Sequence, residues 1–183
     1  MFASSKSPIM KKILLILICA YGTISASAQN PVKENLAWMV GDWSGSGWAS
    51  QGPDSKVNFN QKEHIVWGAG ETVLVIQGEG TDPESGETVF EAAGMVYYDP
   101  KEESYHMHSF TSEQQSTIAD FVVTGDKKAE WFFDVPAGRV IYRIDASSGA
   151  WNEKGYFRPE GMDQEYPIME MTVIRDETTA ESE

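Results

Sequence analysis

Cysteine and histidine are scarce in this chain: one cysteine, Cys19, and three histidines, His64, His106 and His108, in 183 residues. Cys19 lies in an apolar N-terminal stretch that reads as a removable leader. Without it the remaining chain has no disulfide, no thiolate metal site and no cysteine nucleophile. Basic residues are also few, 14 Lys and Arg against 28 Asp and Glu. That balance argues against nucleic acid, whose phosphates need clustered cations, and against an anionic membrane surface. Long helical patterns are missing, so there are no crossover helices to connect a parallel sheet. No G-x-S-x-G, P-loop or H-E-x-x-H motif occurs. Most acidic residues fall in turns, where solvation explains them. Glu63 and His64 are neighbours on an expected strand, so they point to opposite faces and do not form an acid–base pair.

The N-terminus carries Lys6, Lys11 and Lys12, an apolar run from Ile13 to Tyr21, and Ser25-Ala26-Ser27-Ala28. A positive segment, a short apolar segment and an A-x-A site form a secretory signal, so residues 1–28 are expected to be cleaved and the protein exported, periplasmic or secreted. The apolar run is short for a bilayer span. A lipid anchor on Cys19 would need a small residue before it, and Ile18 stands there. The signal takes three of the 14 basic residues and no acidic one, leaving roughly 11 against 28 and a soluble, strongly acidic domain. We expect one domain over residues 29–175, followed by an acidic tail, "DETTAESE" at 176–183, without apolar residues and disordered.

What is abundant is β-strand rhythm. A short helical signal, "PVKENLAWM" from Pro31 to Met39, has proline at its start and Gly41 after its end. Strands are then expected at 42–50, 56–67, 72–79, 88–98, 104–111, 117–124, 130–135, 139–145, 150–157 and 168–175. Turn chemistry such as "TDPESGE" and "TGDKK" separates them. Short connections make the sheet antiparallel. Closing it removes the exposed edges, so the expected fold class is all-β: a single up-and-down barrel of eight to ten strands, with the helical turn closing one end. In the fourth strand the Phe90, Ala92, Gly94, Val96 and Tyr98 face is read as inward, because Glu91 on the other face needs water. Alternating small and large inward residues leave interior space.

The stretch "MVGDWSGSGW", Met39 to Trp48, places Gly41-x-Trp43-x-Gly45-x-Gly47 at the start of the first strand. The G-x-W resembles the signature of the calycin superfamily, the lipocalin and fatty-acid-binding barrels. That resemblance implies that Trp43 plugs one barrel end and that a basic residue of the last strand, here Arg175 in "MEMTVIR", lies across its ring. The longer motif, with a Tyr98-Asp99-Pro100 turn, is similar to secreted bacterial proteins of unknown function related to the nitrobindins. Nitrobindins imply haem held by a histidine shortly before the final arginine. The matching stretch here is Ile168-Met169, and no histidine follows His108. The resemblance therefore supplies no haem ligand, and Met169 is the one sulfur donor in that stretch.

Two groups of residues could carry function. His106 and His108 share a strand face, as in H-x-H metal sites that recruit a third ligand from elsewhere, His64 or a carboxylate. Phe110 continues their face and favours an inward orientation, yet the opposite face with Tyr105, Met107 and Ser109 is no more polar. Aromatic residues are the second group: in "EWFF", Trp131 and Phe133 point one way and Phe132 the other. Such residues fill a core or line an apolar chamber. The expected function is non-enzymatic binding of a small, largely apolar ligand in the barrel interior by His106, His108, Phe90, Tyr98 and Trp131. The alternatives are a haem- or metal-dependent enzyme using His106 and His108, and a protein-interaction module with a filled barrel.

Overall fold

The computed structural model describes residues 30–52 and 54–177. The expected signal at 1–28 and residues 178–183 of the expected tail lie outside the described residues. Helix α1 (Pro31–Leu36) and a single 3-10 turn (Ala37–Met39) precede ten strands. These are β1 (Gly41–Gly52), β2 (Ser55–Gly68), β3 (Val73–Thr81), β4 (Thr88–Asp99), β5 (Ser104–Thr111), β6 (Ser116–Gly125), β7 (Lys128–Val135), β8 (Gly138–Asp145), β9 (Trp151–Pro159) and β10 (Tyr166–Arg175). Each strand pairs antiparallel with the next, and β1 pairs with β10, so the sheet closes into a barrel without a free edge. The all-β up-and-down expectation is met at its upper strand count.

Local chemistry explains the N-terminal plug. Asn30 caps α1 by accepting from the Lys33 N–H at 3.1 Å, and Pro31 occupies the first turn, where its missing N–H costs nothing. The helix and turn bury Val32, Leu36 and Met39 against one barrel end. The main apolar cluster sits there too, with Ile65, Leu74, Val96, Phe121, Trp151 and Val173 almost fully enclosed. Asn35 and the carbonyl of Pro31 both hydrogen-bond the Tyr105 hydroxyl at 2.9 Å, tying the plug to β5.

Gly41 makes the closure possible. Its φ of +134° is a conformation that side chains disfavour, and a Cβ there would sit 2.1 Å from Nη1 of Arg175. Gly45 permits the close approach of β1 to β10, since a Cβ would fall 2.0 Å from the Thr172 carbonyl oxygen. Asp176, expected to open the disordered tail, is bound to β1: its N–H donates to the Asp42 carbonyl at 2.9 Å and its carboxylate accepts from Ser44 at 2.8 Å. On the outer wall, Arg143 donates to both oxygens of Glu165 at 2.7 and 2.9 Å and to Glu130 at 2.8 Å, and Arg158 also donates to Glu165. These bonds hold the β9–β10 connection against β7 and β8.

Candidate functional site: the barrel lumen

The pairing register fixes which side chains point inward. Trp43 pairs with Glu63 of β2 and Arg175 of β10, and the same parity carries Gln61, Phe59 and Ile65 inward. On the far wall Trp131 pairs with Tyr142, Tyr142 with Gly155, and Glu153 with Met171. Exposure then grades along the barrel axis. On the inward face of β4, Val96 at the plugged end is 0% exposed and Phe90 at the other end 47%. One end is sealed and the other is a mouth.

The seal is a small aromatic assembly. Arg175 lies 4.3 Å from the Trp43 ring centroid, a cation–π contact. Its guanidinium also donates to the carbonyls of Trp38, at 2.7 Å, and Val40. Trp43 donates to the Met39 carbonyl at 2.8 Å, and Trp151 packs edge-on to both Trp38 and Trp43 with centroids 5.7 Å apart. The implied roles of Gly41, Trp43, Gly45 and Arg175 as closure residues thus have a physical basis here. Gly47 fits likewise, with Phe59 and Met171 in the space a side chain would take.

Midway along the lumen stand two carboxyl groups. Glu153 is buried and accepts from both indoles beside it, Trp131 at 3.0 Å and Trp151 at 3.2 Å. Glu63 accepts from the Gln61 amide at 2.8 Å on one oxygen. Its carboxylate reaches across β3 because Gly78 leaves the space: a Cβ there would sit 2.9 Å from Oε2. Burial pushes the Glu63 carboxyl up to about 8, with the Glu153 charge adding to it. Burial likewise raises Glu153 to about 7, against the two indole hydrogen bonds that favour its charged form. Tyr142 is pushed up to about 12 by burial and by Glu153. Trp131 stacks on Tyr142 with centroids 4.0 Å apart and 12° between planes, and Phe133 stacks on Trp131 at 6.0 Å. Glu63, Trp131, Phe133 and Tyr142 all have inward register, yet each remains only half-buried.

Three of the five expected binding residues have inward register: Trp131 at mid-lumen, Phe90 at the mouth, and Tyr98 at the plugged end, where its ring meets Tyr105 at 5.1 Å. His106 and His108 do not join them. Tyr98 pairs with Tyr105 and Val96 with Met107, so the inward face of β5 is the Tyr105–Met107 face, and both histidines lie on the outer wall. His106 is held there by Ser104 at 3.0 Å and Glu102 at 3.1 Å, and His108 lies against Phe110, 47% exposed. The apolar Phe110 pointed to the wrong face because it covers the outer surface. His64 is outward as well, on Asp42 at 2.5 Å, and Glu63 opposes it across the strand as the alternation requires. Among the described residues no three His, Cys, Asp or Glu side chains are placed to hold a metal ion. Haem ligation through histidine does not fit this lumen, since all three histidines face out. Met169 faces in beside Gly155.

Gln61, Glu63, Tyr142 and Glu153 were not singled out by sequence reasoning. The signal was present: F-x-Q-x-E-x-I-x-W from Phe59 to Trp67 and W-x-E-x-G-x-F from Trp151 to Phe157 place carboxyls on apolar faces. Two clefts outside the lumen, about 660 Å³ between α1 and the β6–β7 turn and about 450 Å³ on the outer wall of β7–β9, contain neither carboxyl.

Neither a known protein family nor a curated protein sequence matches the chain. Solved structures do match its fold. Rv2717c from M. tuberculosis superposes with a TM-score of 0.60 at 11% identity, over 80% of this chain and 98% of that one. The S-type phycobiliprotein lyase CPES from Guillardia theta does so with a TM-score of 0.56 at 14% identity, over 80% and 93%. At these identities the likeness is one of fold alone, that of a closed antiparallel barrel.

Proposed function

We propose that this is an exported binding protein that holds a small molecule in the barrel lumen, admitted at the mouth beside Phe90. The observation that carries the reading is the incomplete burial of an inward wall: Trp131, Tyr142 and Glu63 have inward register and are each only half-buried. A barrel built only for stability fills its interior with side chains. Here one wall is small, with Gly78, Ala92, Gly94 and Ala119, and the opposite wall is aromatic. The ligand has an apolar body to match the aromatic wall and polar groups to match the carboxyls. Export is supported by the N-terminal lysines, the short apolar run and the A-x-A site.

Native mass spectrometry of the protein purified from its own source tests the reading. A retained small-molecule mass, lost on Trp131→Ala substitution at the chamber wall, is the expected result. A single unliganded mass together with no quenching of tryptophan fluorescence by the neutral dye Nile red would overturn it. The intact mass of the exported chain checks the processing: loss of residues 1–28 is expected.

A further inference from the structure

The lumen is rich in hydrogen-bond acceptors and poor in donors. Its indole and amide donors at mid-lumen are committed, while the Thr111 hydroxyl nearer the mouth has no partner. The Trp131 and Trp151 indoles serve Glu153, and the Gln61 amide serves Glu63. Arg175, the one cation with inward register among the described residues, is spent on Trp43 and two backbone carbonyls at the sealed end. What remains open is Oε2 of Glu63 and, deeper, the hydroxyl of Tyr142. Tyr142 has inward register through its pairing with Trp131, is half-buried, and its hydroxyl makes no hydrogen bond within the protein, which leaves it free to bond a ligand. Two carboxyls in one chamber without a counter-cation are held toward their neutral forms, and a bound cation would favour the ionised ones.

From this arrangement we propose that the lumen selects an organic cation: a molecule with a flat apolar body and a protonated amine. The amine donates to Glu63 and to the Tyr142 oxygen, and the body lies among Trp131, Tyr142 and Phe133. This rests on the reading of the lumen as a ligand chamber and adds the ligand's chemical class. Aromatic walls suit a cation through their ring faces, and an N⁺–H to carboxylate bond is stronger than a neutral one. A carboxylate ligand could accept from the Tyr142 hydroxyl, but it would face two carboxyls whose ionisation it opposes.

Three naphthalene probes of matched shape test the inference by calorimetry at pH 8: 2-(2-naphthyl)ethylammonium, neutral 2-ethylnaphthalene, and 2-naphthylacetate. The ammonium is expected to bind roughly tenfold or more tighter than the neutral probe, with the carboxylate weaker than both. Glu63→Gln is expected to abolish the preference for the ammonium over the neutral probe. Tyr142→Phe, which keeps the ring, is expected to weaken the ammonium several-fold. Equal affinities, or a preference for the carboxylate, would overturn the cation assignment and leave the chamber reading standing. So would binding of Nile red without any of the three probes. An ammonium preference that survives both substitutions would also overturn it, since the acidic outer surface would then be the source. If Nile red fails to bind too, both the assignment and the chamber reading fall.

Discussion

The guanidinium of Arg175 stands over the ring of Trp43 at 4.3 Å while donating to the backbone at Trp38 and Val40, so one side chain joins β10, β1 and the helical plug. It replaces hydrogen bonds the plug carbonyls would otherwise lack. Arg175→Ala is expected to lower stability by about 2–4 kcal/mol, a cation–π contact and two charged hydrogen bonds discounted for the exposure of the side chain. Arg175→Lys should recover less than half of that, because an ammonium lacks the planar fork. Urea unfolding followed by tryptophan fluorescence measures both; equal stability of wild type and Arg175→Ala would refute the role.

Gly41 gives a companion test. Alanine there must adopt a φ of +134° and place its Cβ in the space of the Arg175 guanidinium. Gly41→Ala is expected to cost about 2–4 kcal/mol and, in combination with Arg175→Ala, much less than the sum of the two. A double-mutant cycle reads the coupling, and strict additivity would show that the two residues do not share the site.

The ends of this molecule were legible in the sequence and the middle was not. Gly41, Trp43 and Arg175 announce the closure because glycine, indole and guanidinium have few reasons to recur in that arrangement, and the ten strand positions follow from turn chemistry. The lumen residues stayed hidden for a physical reason. A glutamate on a strand is taken as solvated, and although alternation puts Glu63 with Trp67 and Glu153 with Trp151, the pairing register is what shows that this face is the inward one. His106 and His108 failed in the opposite way: Phe110 suggested an inward face, and pairing with β4 turned it outward. The two cases differ in their strands: β2 has a polar opposite face, with Asn58, Asn60 and Lys62, that favours the Glu63 face as the inward one, whereas β5 is no more polar on one side than on the other.

The histidine placement itself can be checked on ligand binding. Replacing His106 and His108 together by alanine is expected to leave the affinity for Nile red within about twofold, because neither side chain reaches the lumen. Trp131→Ala is expected to weaken it by tenfold or more through lost contact area and an orphaned Glu153 oxygen. A large loss in the double histidine variant would return these residues to the site.

The paired carboxyls predict an unusual pH profile. Glu63 titrates near 8 in the folded chain against an ordinary value of 4.5, so between those values the folded state binds more protons than the unfolded one. Stability must then fall as pH rises through that window, and Glu153, raised to about 7, adds in the same direction. Glu165 behaves oppositely: its bonds to Arg143 and Arg158 hold it down at about 2, so its contribution is present above 4.5 and is lost as pH falls toward 2. The most stable pH should therefore lie near 5, with a loss on the order of 2–4 kcal/mol by pH 9 after allowance for water in the lumen. Glu63→Gln removes one of the two titrating groups and should flatten the alkaline decline, making the variant more stable than wild type at pH 9 while nearly equal to it at pH 5. Chemical unfolding at pH 5, 7 and 9 measures this. A wild-type stability that rises from pH 5 to 9 would mean that the lumen carboxyls are already charged, in contact with bulk water rather than enclosed.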